Sequence, residues 1–169
     1  EMGAVSRSFN QMGKRLNLIT VSRNELDKEI NERKQFETEL RESKERLQTI
    51  TTAAKDAIIM IDNESIITFW NDASEVIFGY LKEDAVGKSL ASLIIPKEFR
   101  EAHMTGFKKF KDTGQGSVVG KTVRLTAFRK DGTEFPISLS LSSVMIKGKW
   151  NAIGIVRDIT ERKLIEERL

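Results

Sequence analysis

"VVGKTVRLTAFRKDGTEFPISLSLSSVMI", residues 118–146, decides the fold. In its first half Val119, Val123, Leu125 and Ala127 alternate with Thr122, Arg124 and Thr126, the period of two that a strand with one wet face requires. Lys130-Asp131-Gly132-Thr133 carries the Asp-Gly signal of a tight hairpin turn, and Phe135, Ile137, Leu139 and Leu141 then resume the alternation. A turn at Gly148 leads into "WNAIGIVRDI" (150–159), a third strand. Upstream, "AIIMID" (57–62) and "SIITFW" (65–70) flank the polar pair Asn63-Glu64 and predict another hairpin.

Helical signals fill the space between. "NDASEVIFGY" (71–80) opens on polar residues and closes on Gly79, and "LKEDAVGKSLASLIIP" (81–96) reads as two brief turns stopped by Pro96. A longer helix is expected from about Lys97 to Asp112, ended by "TGQG". Thr160 is placed to cap a closing helix, "ERKLIEERL" (161–169). Two strands, short helices, one longer helix and three strands predict an α+β domain: a five-stranded antiparallel sheet with helices grouped on one face.

The first 54 residues are of another kind, with no proline and only Gly3 and Gly13 as glycines. Alternating steps of four and three from Val5 to Ala54 meet ten apolar residues in fifteen, without a slip of register. Val5, Met12, Ile19, Leu26, Arg33, Leu40, Leu47 and Ala54 form the d column of a heptad. Fifty helical residues would span roughly 75 Å without a core of their own, so a parallel two-stranded homodimer is expected. Arg23, Glu37, Lys44 and Thr51 put polar groups at a positions, which suits a pair that shifts between two packings.

Composition narrows the function. Of 169 residues, 39% are hydrophobic and 31% charged, with a net charge of +3; no basic face is clustered enough for nucleic acid. The absence of cysteine excludes disulfides, thiolate metal sites and thiol nucleophiles. With one histidine and carboxylates scattered over helix surfaces, no catalytic pair is recognisable. No apolar run is long enough to span a membrane. Because the chain opens on Glu1, it is expected to be an excised fragment of a longer protein.

The lone histidine lies in "EFREAHMTGFKKF" (98–110), where Phe99, His103, Phe107 and Phe110 share one helix face at steps of four, four and three. Gly106, on the next turn, leaves room for a flat ligand. His103 is therefore either core filler that reaches a hydrogen-bond partner or a metal ligand.

Three stretches, "WNDASEVIFGYLKEDAVGKSL", "RKDGTEFPISLSLS" and "GIVRDITERK", resemble the PAS domain family in order and spacing, over residues 47 to 162. The resemblance implies the five-stranded PAS fold and a sensing or relay role in sensor kinases, diguanylate cyclases or chemoreceptors. It also implies that Asp158 and Thr160 of "RDIT" tie the last strand to the outgoing helix. "EMGAVSRSFNQMGKRL" resembles the end of a HAMP module, and residues 20–50 resemble the signalling helices of dimeric receptors. The implied division is 1–19 HAMP end, 20–50 coiled coil, 51–160 PAS domain and 161–169 linker to an output domain beyond Leu169. A cytoplasmic portion of an inner-membrane receptor is thus expected, with the membrane reached only through upstream segments.

The region around His103 is similar, without a gap, to haem-binding PAS oxygen sensors of the nitrogen-fixation kinase type. That similarity puts His103 at the proximal ligand of haem b, with Phe107 further along the same face, and Lys109 at a propionate. Val118, Leu139 and Leu141 fall around the distal gas pocket. Val123 stands where those sensors carry a distal arginine, which favours carbon monoxide, nitric oxide or redox sensing over oxygen. The light-sensing flavin chemistry of the family needs a cysteine that this chain lacks. A cofactor-free PAS domain that takes a small organic ligand, or serves only as a dimerising relay, stays open beside the haem reading.

Overall fold

The computed structural model describes residues 2–166 and residue 168. Glu1, the side chain of Val5, residues 167 and 169 of the expected closing stretch, and the output domain expected beyond Leu169 lie outside what is described. Strands β1 (Ala57–Ile61), β2 (Ile67–Trp70), β3 (Thr122–Phe128), β4 (Glu134–Ile146) and β5 (Lys149–Asp158) pair antiparallel in the order β2-β1-β5-β4-β3. The last strand in sequence therefore closes the sheet at its centre, between β1 and β4. This position explains why β5 has more buried residues than β3 or β4: both its edges and one face are covered.

Helices α2 (Asp72–Phe78), α3 (Lys82–Ala85), α4 (Leu90–Leu93) and α5 (Lys97–Thr113) follow the first hairpin, and α6 (Thr160–Glu166) follows β5. Asn71 caps α2 by accepting from Ser74 N–H, and Gly79 ends the helix at φ 78°. The core is built where these helices meet the sheet. Trp70, Ile67 and Phe78 are fully buried, Trp70 and Phe78 lie 5.4 Å apart, and Phe78 meets Phe135 edge-on at 5.7 Å. Trp70 places its indole N–H on the Tyr80 carbonyl at 3.1 Å, so the large ring is buried without an orphaned donor.

Two local expectations change. The first hairpin does not turn on Asn63-Glu64 alone. Asp62 Oδ1 accepts from the backbone N–H of Glu64 and Ile66, and Ser65 adopts φ 63°, so the loop spans 62–66. Leu125 has the parity of the inner face, opposite buried Ile137, yet it is 45% exposed. It sits on an edge strand with no neighbour on its far side, which the alternation could not reveal.

The chain divides into two units, Glu1–Gln48 and Thr49–Leu169. The first is α1 (Met2–Ala53) up to its last turns. It runs unbroken past residues 19 and 20, so the expected boundary there is no break in the helix. Ion pairs at i,i+4, such as Lys28–Glu32 and Arg33–Glu37, support it by a few tenths of a kcal/mol each. Its d-column residues Met12, Ile19, Leu26, Leu40 and Leu47 are all more than half exposed in the single chain. Among the described residues no helix is long and apolar enough to cross a membrane.

Candidate functional site

α5 begins directly after Pro96, whose ring suits a helix start, and stops at Gly114 with φ 66°. Glycine is required there twice over, because a Cβ would lie 2.4 Å from the Trp150 ring on β5. The helix approaches the sheet chiefly through β5. Burial along its apolar face is graded: Phe110 is 4% exposed, Phe107 and His103 are half-buried, and Phe99 is 49% exposed. The expected four-residue ladder thus enters the core only at its C-terminal end, where Trp150 holds the helix down. At the other end Arg100 anchors the first turn by donating to the carbonyls of Ile95 and Ser92.

His103 stacks on Phe107, with ring centroids 5.8 Å apart and planes 18° from parallel. Its Nδ1 is buried and has no hydrogen-bond partner. The expectation of a filler histidine that reaches a hydrogen bond is not met at this nitrogen. Burial pushes the imidazole pKa down, so the ring is neutral at physiological pH, the form that binds metals. Among the described residues no group of three or more histidine or carboxylate side chains could cage a metal ion. A single buried imidazole suits only a metal that brings its other ligands with it.

The strand residues expected to surround a bound group are apolar. Val123 pairs with Leu139 across β3 and β4, and Val119 bridges to Leu141. Phe107, Val119, Leu139 and Leu141 are partly buried against the core. A Cβ on Gly154 would lie 3.2 Å from Leu139 Cδ1, so this glycine is what lets the leucines lie over β5. Val118 is half-buried, but its neighbour Val119 is the residue that packs on the core, a residue the site reading passed over. Lys109 and Gly106 lie on the exposed side of α5, so Gly106 opens no space towards the sheet. Arg124 is on the opposite face from Val123, where it pairs with Glu166 of α6 at 3.2 Å.

A second constellation sits where β5 passes into α6. Asp158 Oδ1 accepts both the backbone N–H of Thr160, at 2.9 Å, and its hydroxyl, at 2.5 Å. Thr160 is therefore the first residue of the helix and a donor, not its cap; the carboxylate two residues earlier serves that role. Asp158 Oδ2 takes a hydrogen bond from Arg129, whose guanidinium also donates to the Ile77 carbonyl and lies 3.8 Å from the Phe135 ring. Burial would push the Asp158 carboxyl up. The Thr160 hydroxyl and N–H, then Arg129, outweigh it and hold the group below the usual carboxylate range. Arg129 was not singled out in the sequence; its only signal was a basic residue ahead of the Asp-Gly turn.

Comparison with known proteins agrees with this architecture. The chain is 32% identical over 141 residues to Sensor protein FixL of Bradyrhizobium diazoefficiens, covering 83% of this chain and 28% of that protein. It is 29% identical over 102 residues to Oxygen sensor protein DosP of Escherichia coli, covering 60% of this chain and 12% of that protein. The chain thus spans well under a third of either relative. Among solved structures, the PAS domain of a protein from Colwellia psychrerythraea is 26% identical with a TM-score of 0.58, over 70% of this chain and 98% of that one. The model of the PAS domain family matches residues 55–161. The chain belongs to the PAS domain family and is a sensor domain of the kind found in signalling proteins.

Proposed function

We propose that this chain is the sensing and relay portion of a membrane receptor whose PAS core takes haem b on His103. The observation that carries the reading is the buried, partnerless Nδ1 of His103 on an otherwise apolar helix face. A neutral imidazole there, with Phe107 stacked beside it and Leu139, Leu141, Val118 and Val123 as apolar walls, fits a porphyrin ligated from one side. Lys109, exposed on α5, would offer a cation to a propionate. Haem, when bound, would supply a gas-binding or redox-active iron.

The chain's own residues set selectivity and response. Val123 offers no hydrogen-bond donor and Arg124 is turned away to Glu166, so the site favours carbon monoxide, nitric oxide or redox change over oxygen. Displacement of α5 would reach β5 through Trp150, and then α6 through Asp158 and Thr160. The coiled coil of α1 would hold two copies in parallel, with HAMP and membrane segments upstream. An output domain such as a histidine kinase or diguanylate cyclase would follow Leu169. On this reading the chain would lie on the cytoplasmic side of an inner membrane. The packing of Phe107, Leu139 and Leu141 onto the core favours a second reading, a cofactor-free relay or small-ligand domain.

An absorption spectrum of protein produced with ample haem separates them. The haem reading expects a strong Soret band that disappears in His103→Ala. A folded, colourless protein that refuses added haem overturns it and leaves the relay reading.

A further inference from the structure

The geometry points to a junction that couples the incoming helix to the outgoing one through two consecutive residues of β5, Arg157 and Asp158. It rests on the relay reading above, because it names a route by which a relay would run. Asp56 lies between the end of α1 and the start of β1. Arg157 forks onto it, with Nε 3.0 Å from Oδ1 and Nη2 2.7 Å from Oδ2. This two-point geometry fixes direction as well as distance. The residues are 101 positions apart in sequence, so the contact joins the two ends of the domain.

Buried Asn71 secures the same segment from the other side. Its Nδ2 donates to the carbonyls of Thr51 and Asp56, both at 3.2 Å, and its Oδ1 accepts from Ile58 N–H, Ser74 N–H and the Ser74 hydroxyl. Thr51 belongs to the last turn of α1. That turn is thus held through its own carbonyl to the residue that caps α2, and its exit is held by a charge pair to β5. The next residue along β5, Asp158, holds the first turn of α6. Arg157 and Asp158 face opposite sides of the strand, share a planar peptide unit and are both paired with β4, so a rotation of one is passed in part to the other. The tie lies outside the α5 face. Motion of α1 would therefore reach α6 with the sensing site empty or full.

Amide exchange on the full 169-residue chain tests this. Asp56→Asn, nearly isosteric, and Arg157→Gln, shorter but on an exposed side chain, each remove the charged fork. Exchange at residues 160–166 should accelerate about two- to fivefold in either variant, the range one surface charge pair sustains. The double variant should be no faster than the single ones. Swapping the charges, Asp56→Arg with Arg157→Asp, should restore protection. Coupling is reciprocal, so Asp158→Ala should also loosen residues 51–56. Acceleration confined to residues 51–56 in Asp56→Asn, or single effects that add, overturns the junction. If Asp158→Ala leaves residues 160–166 unchanged, the relay reading itself falls. If those residues respond to Asp158→Ala but not to Asp56→Asn, only the junction falls.

Discussion

α1 and the sheet domain spend the same residue types in opposite ways. In the sheet domain Phe78 is fully buried among Trp70 and Phe135; in α1 Phe36 is 69% and Leu40 70% exposed. The domain contains the partners of its own apolar residues. The helix does not, although its apolar residues recur on a strict heptad. The domain's apolar residues are therefore covered within one chain, whereas those of the helix stand exposed, and the proposed pairing with a second copy would cover them.

Substitutions can break this contrast. The largest effect is expected from Phe78→Ala, at about 3–5 kcal/mol of domain stability by urea or thermal unfolding. Phe36→Ala should move the same transition by no more than about 0.5 kcal/mol. Comparable losses from both would mean that α1 is part of the domain's core. Next in size, Leu40→Asp with Leu47→Asp should weaken self-association by roughly a hundredfold, since each change puts a charge in the seam. Light scattering at micromolar concentration would show a dimer for the unmodified chain and a monomer for the variant, with the domain's unfolding transition unmoved. An unmodified chain that is already monomeric removes the basis for the contrast.

The smallest effect sharpens it from the other end of the domain. Asp158→Ala should cost about 1 kcal/mol, felt most in α6, because the helix start loses its acceptor and Arg129 loses its carboxylate partner. Acid should do the same in the unmodified chain. The folded pKa of Asp158 is depressed, so its contribution is complete above the ordinary carboxylate value and is lost as pH falls through the lower, folded value. Circular dichroism and exchange at residues 160–166 between about pH 5 and 2 should show early release of α6, absent from Asp158→Ala. A core that melts before α6 on acidification would contradict this order.

What could be read from sequence follows the range of the force involved. The strands, the Asp-Gly turn and the α5 boundaries depend on neighbours within a few residues, and they lie where alternation and helix signals put them, except that Val119 makes only an isolated bridge to Leu141 ahead of β3, across Gly120 at φ 75°. Leu125 was misplaced because edge position is a property of the finished sheet. The cap at α6 was assigned to Thr160 because hydroxyls often cap, while Asp158 two residues earlier supplies the stronger acceptor. Arg129 and the Asp56–Arg157 fork could not be read at all. Their partners stand 29 and 101 residues away, and no local period records such a contact. His103 was found by its place on an apolar face, but its missing hydrogen bond needed the surrounding atoms.

The contact between Gly114 and Trp150 has an optical consequence. The chain has two tryptophans, and they differ in what surrounds them. Trp70 is sealed in the core with its N–H satisfied, so its emission should stay constant until global unfolding. Trp150 is half-buried and lies against the C-terminal end of α5, where any lifting of that helix admits water to the indole. Its fluorescence therefore reports the position of α5 without an added label, and a Trp70→Phe background would leave a single-emitter reading of that helix in solution.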